Sequence, residues 1–172
     1  MPRRTAETAR GGRVLRIGEG YDIHRLVAGR TLRLACVEVE SERGSLGHSD
    51  GDAAAHAVCD ALLGAAGLGD MGRFFPSGDP RWKGADSSVF LSEVVRLLGG
   101  AGAALVNVDV TIVLERPRLE CHLGAMRGAL AAALGVDAAR VSVKAKSADG
   151  LGAVGSGDAV EARAVALIQV PD

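Results

Sequence analysis

Between Val106 and Leu114 the chain alternates: Val106, Val108, Val110, Ile112 and Leu114 fall on one side, and Asn107, Asp109 and Thr111 on the other. A period of two belongs to a strand with one face on a core, so this chain must build a sheet. The same pattern returns in Val141, Val143 and Ala145 against Ser142, Lys144 and Lys146. It returns again along Ala159 to Val170, where Val160, Ala162, Ala164, Ala166 and Ile168 share a face. Val14 to Ile17 predicts another strand, running into Gly18 and Gly20, where the backbone can turn or come close to a ligand, and then into an extended Tyr21 to His24. Thr31 to Val39 predicts one more, with a slip near Cys36, joined to the preceding strand as a hairpin.

Helical spacing fills the intervals. Val58, Ala61, Leu62 and Ala65 mark a helix over Ala53 to Leu68, with Asp50 or Asp52 as its N-cap. A second starts after Asp86 or Ser87, carries Val89, Phe90, Val94, Leu97 and Leu98, and stops at Gly99-Gly100. A third spans Cys121 to Leu134 and ends at Gly135. The fold class expected is α/β (α+β): a two-layer sandwich in which a mixed four- to five-stranded sheet carries three helices on one face. The other face shows Val113, Val165 and Leu167 beside Glu161 and Arg163, which self-association would bury. Scattered apolar surface of the ordinary kind is the alternative.

At 172 residues the chain has room for one domain, read as 14–172, behind a basic, mobile tail over 1–13. A net charge of -1 and few aromatic side chains exclude a general nucleic-acid binder. The three cysteines, Cys36, Cys59 and Cys121, form neither a disulfide framework nor a metal clip, which favours a reducing cytoplasm. No apolar run is long enough to span a membrane.

Asp22 and His24, two apart on an extended segment, point the same way and can converge on one ion. His56 from the first helix would complete the carboxylate and two imidazoles of an open catalytic zinc site. Asp60, one turn on, could orient the His56 ring. Gly47-His48-Ser49-Asp50-Gly51-Asp52 precedes the helix as a cradle for phosphate, although its two carboxylates argue against an anion there. By residue type alone these groups serve equally well as turn and capping residues.

Longer blocks decide between these readings. RIGEGYDIHRL, GHSDGDAAAHAVCDALLGAAGLGDMG, FPSGDPRWKGADS, NVDVTIV and VKAKSADGLG together resemble the 2-C-methyl-D-erythritol 2,4-cyclodiphosphate synthases of non-mevalonate isoprenoid synthesis, from about Arg16 to the C-terminus. The resemblance implies a homotrimer with active sites between subunits, and a cyclase that closes a cyclic diphosphate on its cytidine diphosphate substrate and expels CMP. It implies zinc, or another divalent metal, on Asp22, His24 and His56, one per subunit, and magnesium or manganese on Asp149. His48 and Ser147 are implied in catalysis, and Ser49 in phosphate binding. Asp70 and Gly72 would hold the erythritol part, under a mobile cover that includes Phe75, Pro76 and Asp79. Arg116, Pro117, Arg118, His122, Ala145 and Lys146 would hold cytidine from a neighbouring subunit.

The chain departs from the family's pattern in places. It reads Lys146-Ser147-Ala148-Asp149 where threonines before a glutamate are common, and Ser77 stands in place of an aspartate. Ala153 and Ser156 stand where other members line the trimer channel with an aromatic and an arginine. Those changes motivate one alternative, a catalytically silent nucleotide-binding trimer or pathway scaffold. A metal-dependent phosphohydrolase is another.

Overall fold

A computed structural model describes residues 12–172; residues 1–11 of the segment read as a tail lie outside the described residues. Among the described residues seven strands form, β1 (Arg13–Ala28), β2 (Leu32–Leu34), β3 (Val37–Val39), β4 (Arg43–Leu46), β5 (Ala104–Val113), β6 (Val141–Lys146) and β7 (Ala159–Pro171). Five of them make one mixed sheet in the order β4-β1-β7-β5-β6, with β5 and β6 parallel and the other pairs antiparallel. Three long helices, α1 (Ala53–Ala65), α3 (Ser87–Gly100) and α4 (Leu123–Leu134), and two single turns, α2 (Met71–Phe74) and α5 (Gly152–Gly155), complete the layers. The expected two-layer sandwich is therefore present, and no helix among the described residues is long and apolar enough to cross a membrane.

Two expectations change. Gly18 and Gly20 do not turn the chain; they sit inside β1, which runs unbroken through Tyr21 to His24. A Cβ on Gly18 would stand 2.1 Å from the Ala61 carbonyl oxygen, and one on Gly20 would stand 1.9 Å from that of Ala57. The glycines make room for a helix, not for a ligand. Across the seam, Ala162, Ala164 and Ala166 of β7 are fully buried and equally small, so α1 lies close over β1 and β7.

The segment Thr31–Val39 is also not one strand. It folds back on itself as the β2–β3 ribbon, whose Ala35 and Cys36 both take positive φ, 52° and 63°, as a tight two-residue turn requires. The fully buried Asp52 carboxylate holds that turn, accepting from the N–H groups of Ala35 (2.8 Å) and Cys36 (2.6 Å) while capping α1 through Ala55 (3.0 Å). Burial pushes its carboxyl up, and these donors work against the rise. Strand β4, which sequence periodicity does not reveal, pairs with the end of β1 and brings the Gly47–Asp52 loop beside it.

The sheet face away from the helices is apolar in part. Leu15 is 61 % exposed and Ile17 71 %, next to Leu167 and Val165 on β7.

Candidate metal centre

Because Gly18 and Gly20 face α1, Asp22 and His24 further along β1 face it too, and His56 projects from the first turns of that helix. The three meet. Asp22 Oδ2 lies 2.9 Å from His24 Nε2 and 2.9 Å from His56 Nδ1, and the two ring nitrogens are 3.2 Å apart. An ion bound tetrahedrally at about 2.0–2.1 Å sets its ligand atoms about 3.3 Å apart, so this triangle matches a first-row divalent cation with one corner left open. Each partner is aimed from behind. Asp22 Oδ1 accepts the Ile23 N–H at 2.9 Å, and His24 Nδ1 donates to the Leu46 carbonyl at 3.2 Å, leaving Nε2 free to ligate. Among the described residues this trio is the one group of metal-ligating side chains that converges.

Burial opposes the charged forms of Asp22 and His24. Hydrogen bonds from both histidines nevertheless hold the Asp22 carboxyl well below the usual carboxylate range, and Asp22 raises His24 above its ordinary value. In metal-free protein, Asp22 contributes stability that is present above its unfolded pKa and lost as pH falls through the depressed folded one. His24 contributes stability that is present below its unfolded pKa and lost as pH rises through the raised folded one. Metal-free melting temperatures are therefore expected to decline as pH rises from the ordinary histidine value of about 6.5, and Asp22→Asn is expected to flatten the decline. Thermal melts at a series of pH values from about 6.5 upward check this.

His24 and His56 open onto a cleft of about 210 Å³, lined also by His48, Ser49, Met71, Phe75, Ser77, Trp82 and Phe90. On the side expected to cradle phosphate, the two carboxylates that argued against an anion are engaged elsewhere. Asp52 is buried beneath α1, and Asp50 turns away to Ser87 and Arg33. Asp60 does not reach His56 as expected; it accepts the Met71 N–H at 2.8 Å and so fixes the start of α2. Asp70 caps the same turn through the Arg73 N–H, Gly72 is exposed within it, and neither lines the cleft. Phe75 is buried against Trp82 and Phe90, Pro76 is exposed, and Asp79 pairs with Arg81. The lining residues Met71, Trp82 and Phe90, and the Asp50–Ser87 contact, carry no sequence signal that separates them from core or capping residues.

The remaining expected residues lie elsewhere. Arg116, Pro117 and Arg118 line a separate groove of about 940 Å³, with Glu40–Arg43 and Gly155–Gly157, that shares no lining residue with the triad cleft. His122 follows on the next turn. Ala145 and Lys146 end β6; Ser147 and Asp149 are exposed in the loop beyond it, where Asp149 has φ 53° and Glu115 accepts the Ala148 N–H. One chain thus carries two separate clefts.

The pattern of the YgbB family matches residues 15–169. The 2-C-methyl-D-erythritol 2,4-cyclodiphosphate synthase of Gloeobacter violaceus is 53% identical over 92% of this chain and 98% of its own. That of Verminephrobacter eiseniae is 55% identical over 90% of this chain and 85% of its own. A solved synthase structure in its CDP-bound form superposes with a TM-score of 0.82 at 44% identity, covering 89% of this chain and 99% of its own.

Proposed function

The chain belongs to the YgbB family, and from that premise we propose that it converts 4-diphosphocytidyl-2-C-methyl-D-erythritol 2-phosphate to 2-C-methyl-D-erythritol 2,4-cyclodiphosphate and CMP. It is a phosphorus–oxygen lyase of the non-mevalonate route. The convergence of Asp22, His24 and His56 at 2.9–3.2 Å in a cleft edged by His48 and Ser49 is the observation that supports this most directly.

The step is intramolecular. An oxygen of the 2-phosphate attacks the β-phosphorus, the new phosphorus–oxygen bond closes the eight-membered ring, and the bond from the β-phosphorus to the bridging oxygen breaks, its electron pair leaving with CMP. No side-chain nucleophile is needed, so the protein's task is alignment and compensation of charge. Asp22, His24 and His56 would hold zinc, or another divalent cation, and Asp149 magnesium or manganese; when bound, such cations supply Lewis-acid stabilisation of the phosphoryl oxygens. His48 and Ser49 hold and orient phosphate, and Ser147 donates its hydroxyl to the group in transfer. Asp70 and Gly72 take the erythritol part beneath Phe75, Pro76 and Asp79. Arg116, Pro117, Arg118, His122, Ala145 and Lys146 bind the cytidine end.

Two clefts that share no lining residue support a homotrimer in which the metal half-site of one subunit faces the cytidine half-site of the next, the apolar open sheet face being buried between subunits. We place this trimer in the cytoplasm. Phosphorus NMR of a reaction with the diphosphocytidyl substrate is expected to show the cyclic diphosphate and CMP; inorganic phosphate in their place would mean a hydrolase, and CDP binding without turnover a silent trimer. A refolded equimolar mixture of His56→Ala and Ser147→Ala chains, each inactive alone, is expected to recover about a quarter of the native activity. Random threefold assembly rebuilds that share of sites across subunit boundaries. A site contained within one chain would recover none.

A further inference from the structure

We propose that Ser87 and Asp50 are positioning residues that lock His56 in the tautomer able to bind a cation through Nδ1; this rests on the metal reading given above. The two ring nitrogens face different groups. Nδ1 looks at Asp22 and His24, whereas Nε2 lies 3.3 Å from Ser87 Oγ and 3.2 Å from Ser49 Oγ. Ser87 is fully buried, so no bulk water reaches its hydroxyl, and that hydroxyl donates to Asp50 Oδ1 at 2.5 Å. Its single proton being committed, only lone pairs of Oγ remain to meet Nε2, which must then carry the ring proton. When a cation binds, Nδ1 exchanges its hydrogen bond to Asp22 for the metal and presents its lone pair to it, the ring keeping its proton on Nε2. Ser49 can rotate its hydroxyl to suit either tautomer and does not select one.

Asp50 is held in turn. Its Oδ2 accepts the Ser87 N–H at 2.8 Å and lies 3.5 Å from Arg33 Nε, and Arg33 reaches Asp86 at 2.7 Å with another nitrogen. The arrangement is a directed relay from His56 to Ser87 to Asp50, braced by a guanidinium from the β2–β3 ribbon. Capping does not account for the Ser87 hydroxyl. The N-cap of α3 is Asp86, whose Oδ1 takes the N–H and the hydroxyl of Ser88. Partners that fix the far nitrogen of a ligating histidine typically govern metal affinity by about 10–100-fold.

The test is a zinc titration of the full chain against a chromophoric chelator, comparing native protein with Ser87→Ala, Asp50→Asn and, as control, Ser88→Ala. Ser87→Ala is expected to weaken zinc binding by about 10–100-fold, with Asp50→Asn shifted in the same direction and Ser88→Ala unchanged. A purely structural role would lower the melting temperature and leave the zinc dissociation constant where it was. Should Ser87→Ala fail to fold, Asp50→Asn is read alone. Long-range proton–nitrogen NMR of the zinc-loaded native protein is an independent arm, expected to show His56 protonated at Nε2. Native protein that takes up no zinc would end the metal reading itself. Zinc held by native and folded Ser87→Ala protein within about twofold, or a ring protonated at Nδ1, would overturn the relay alone.

Discussion

Replacing His56 by alanine is expected to lower kcat/KM for cyclisation by at least about 10³-fold, because it removes one of three ligands and with it the charge placed against the phosphates. The lesion should be chemical and not structural. His56 is part-buried on the polar side of α1, whereas the apolar face of that helix, Val58, Leu62 and Leu63, is untouched. Asp22 keeps His24 as a partner at 2.9 Å, so no buried carboxylate is left alone. The metal-free melting temperature should therefore move by only a few degrees, as about 1 kcal/mol does in a domain of this size. Stripping native protein with a chelator should reproduce the loss, and added zinc should restore the native enzyme but not the variant. CMP release measured at saturating and limiting substrate separates the cases. Undiminished turnover after either treatment would remove the metal from the mechanism.

How far the sequence could be read depended on whether a feature is periodic or pairwise. Val106 to Leu114, Val141 to Lys146 and Ala159 to Val170 form strands close to their expected limits because alternation repeats along each of them. The bulge that sets Leu105 inward in β5 is a local shift that alternation does not encode. The helices begin at Asp52 and Asp86 and the last closes at Gly135 because caps are local chemistry. Pairings across the fold were not legible. Asp60 looked like a partner for His56 by helical spacing, yet the Met71 N–H, delivered by a loop, captures it. Asp50 looked like a capping residue, and its real partners come from α3 and the β2–β3 ribbon. The triad itself was legible in part: the two-residue spacing of Asp22 and His24 fixes their common direction and ligand chemistry offered His56 as the third member, but only the family resemblance decided between that site and ordinary turn and capping residues.

That junction depends on the glycines of β1, which is why Gly20→Ala is expected to be among the most damaging single-methyl changes available in this chain. The added carbon would stand 1.9 Å from the Ala57 carbonyl oxygen and 2.6 Å from the Ala61 amide nitrogen, both backbone atoms that no rotamer change can move aside. Either α1 lifts off β1, opening the packing over Ala162 to Ala166, or β1 bends away from β7, breaking the longest ladder in the sheet. Overpacking against backbone belongs with changes that cost about 4 kcal/mol or more. At about 2–4 °C per kcal/mol, the melting temperature should fall by roughly 8–16 °C, or the chain should fail to fold. Gly128→Ala is the matched control: it lies in the middle of α4 with open space around its Cβ position, so helix propensity alone should stabilise by up to about 1 kcal/mol. The metal site supplies the second readout, since a displaced α1 carries His56 away from Asp22 and His24. Folded Gly20→Ala protein should therefore bind zinc more weakly even below its melting transition. If it melted with the native protein and held zinc as tightly, close approach of helix to strand would not be what assembles the site.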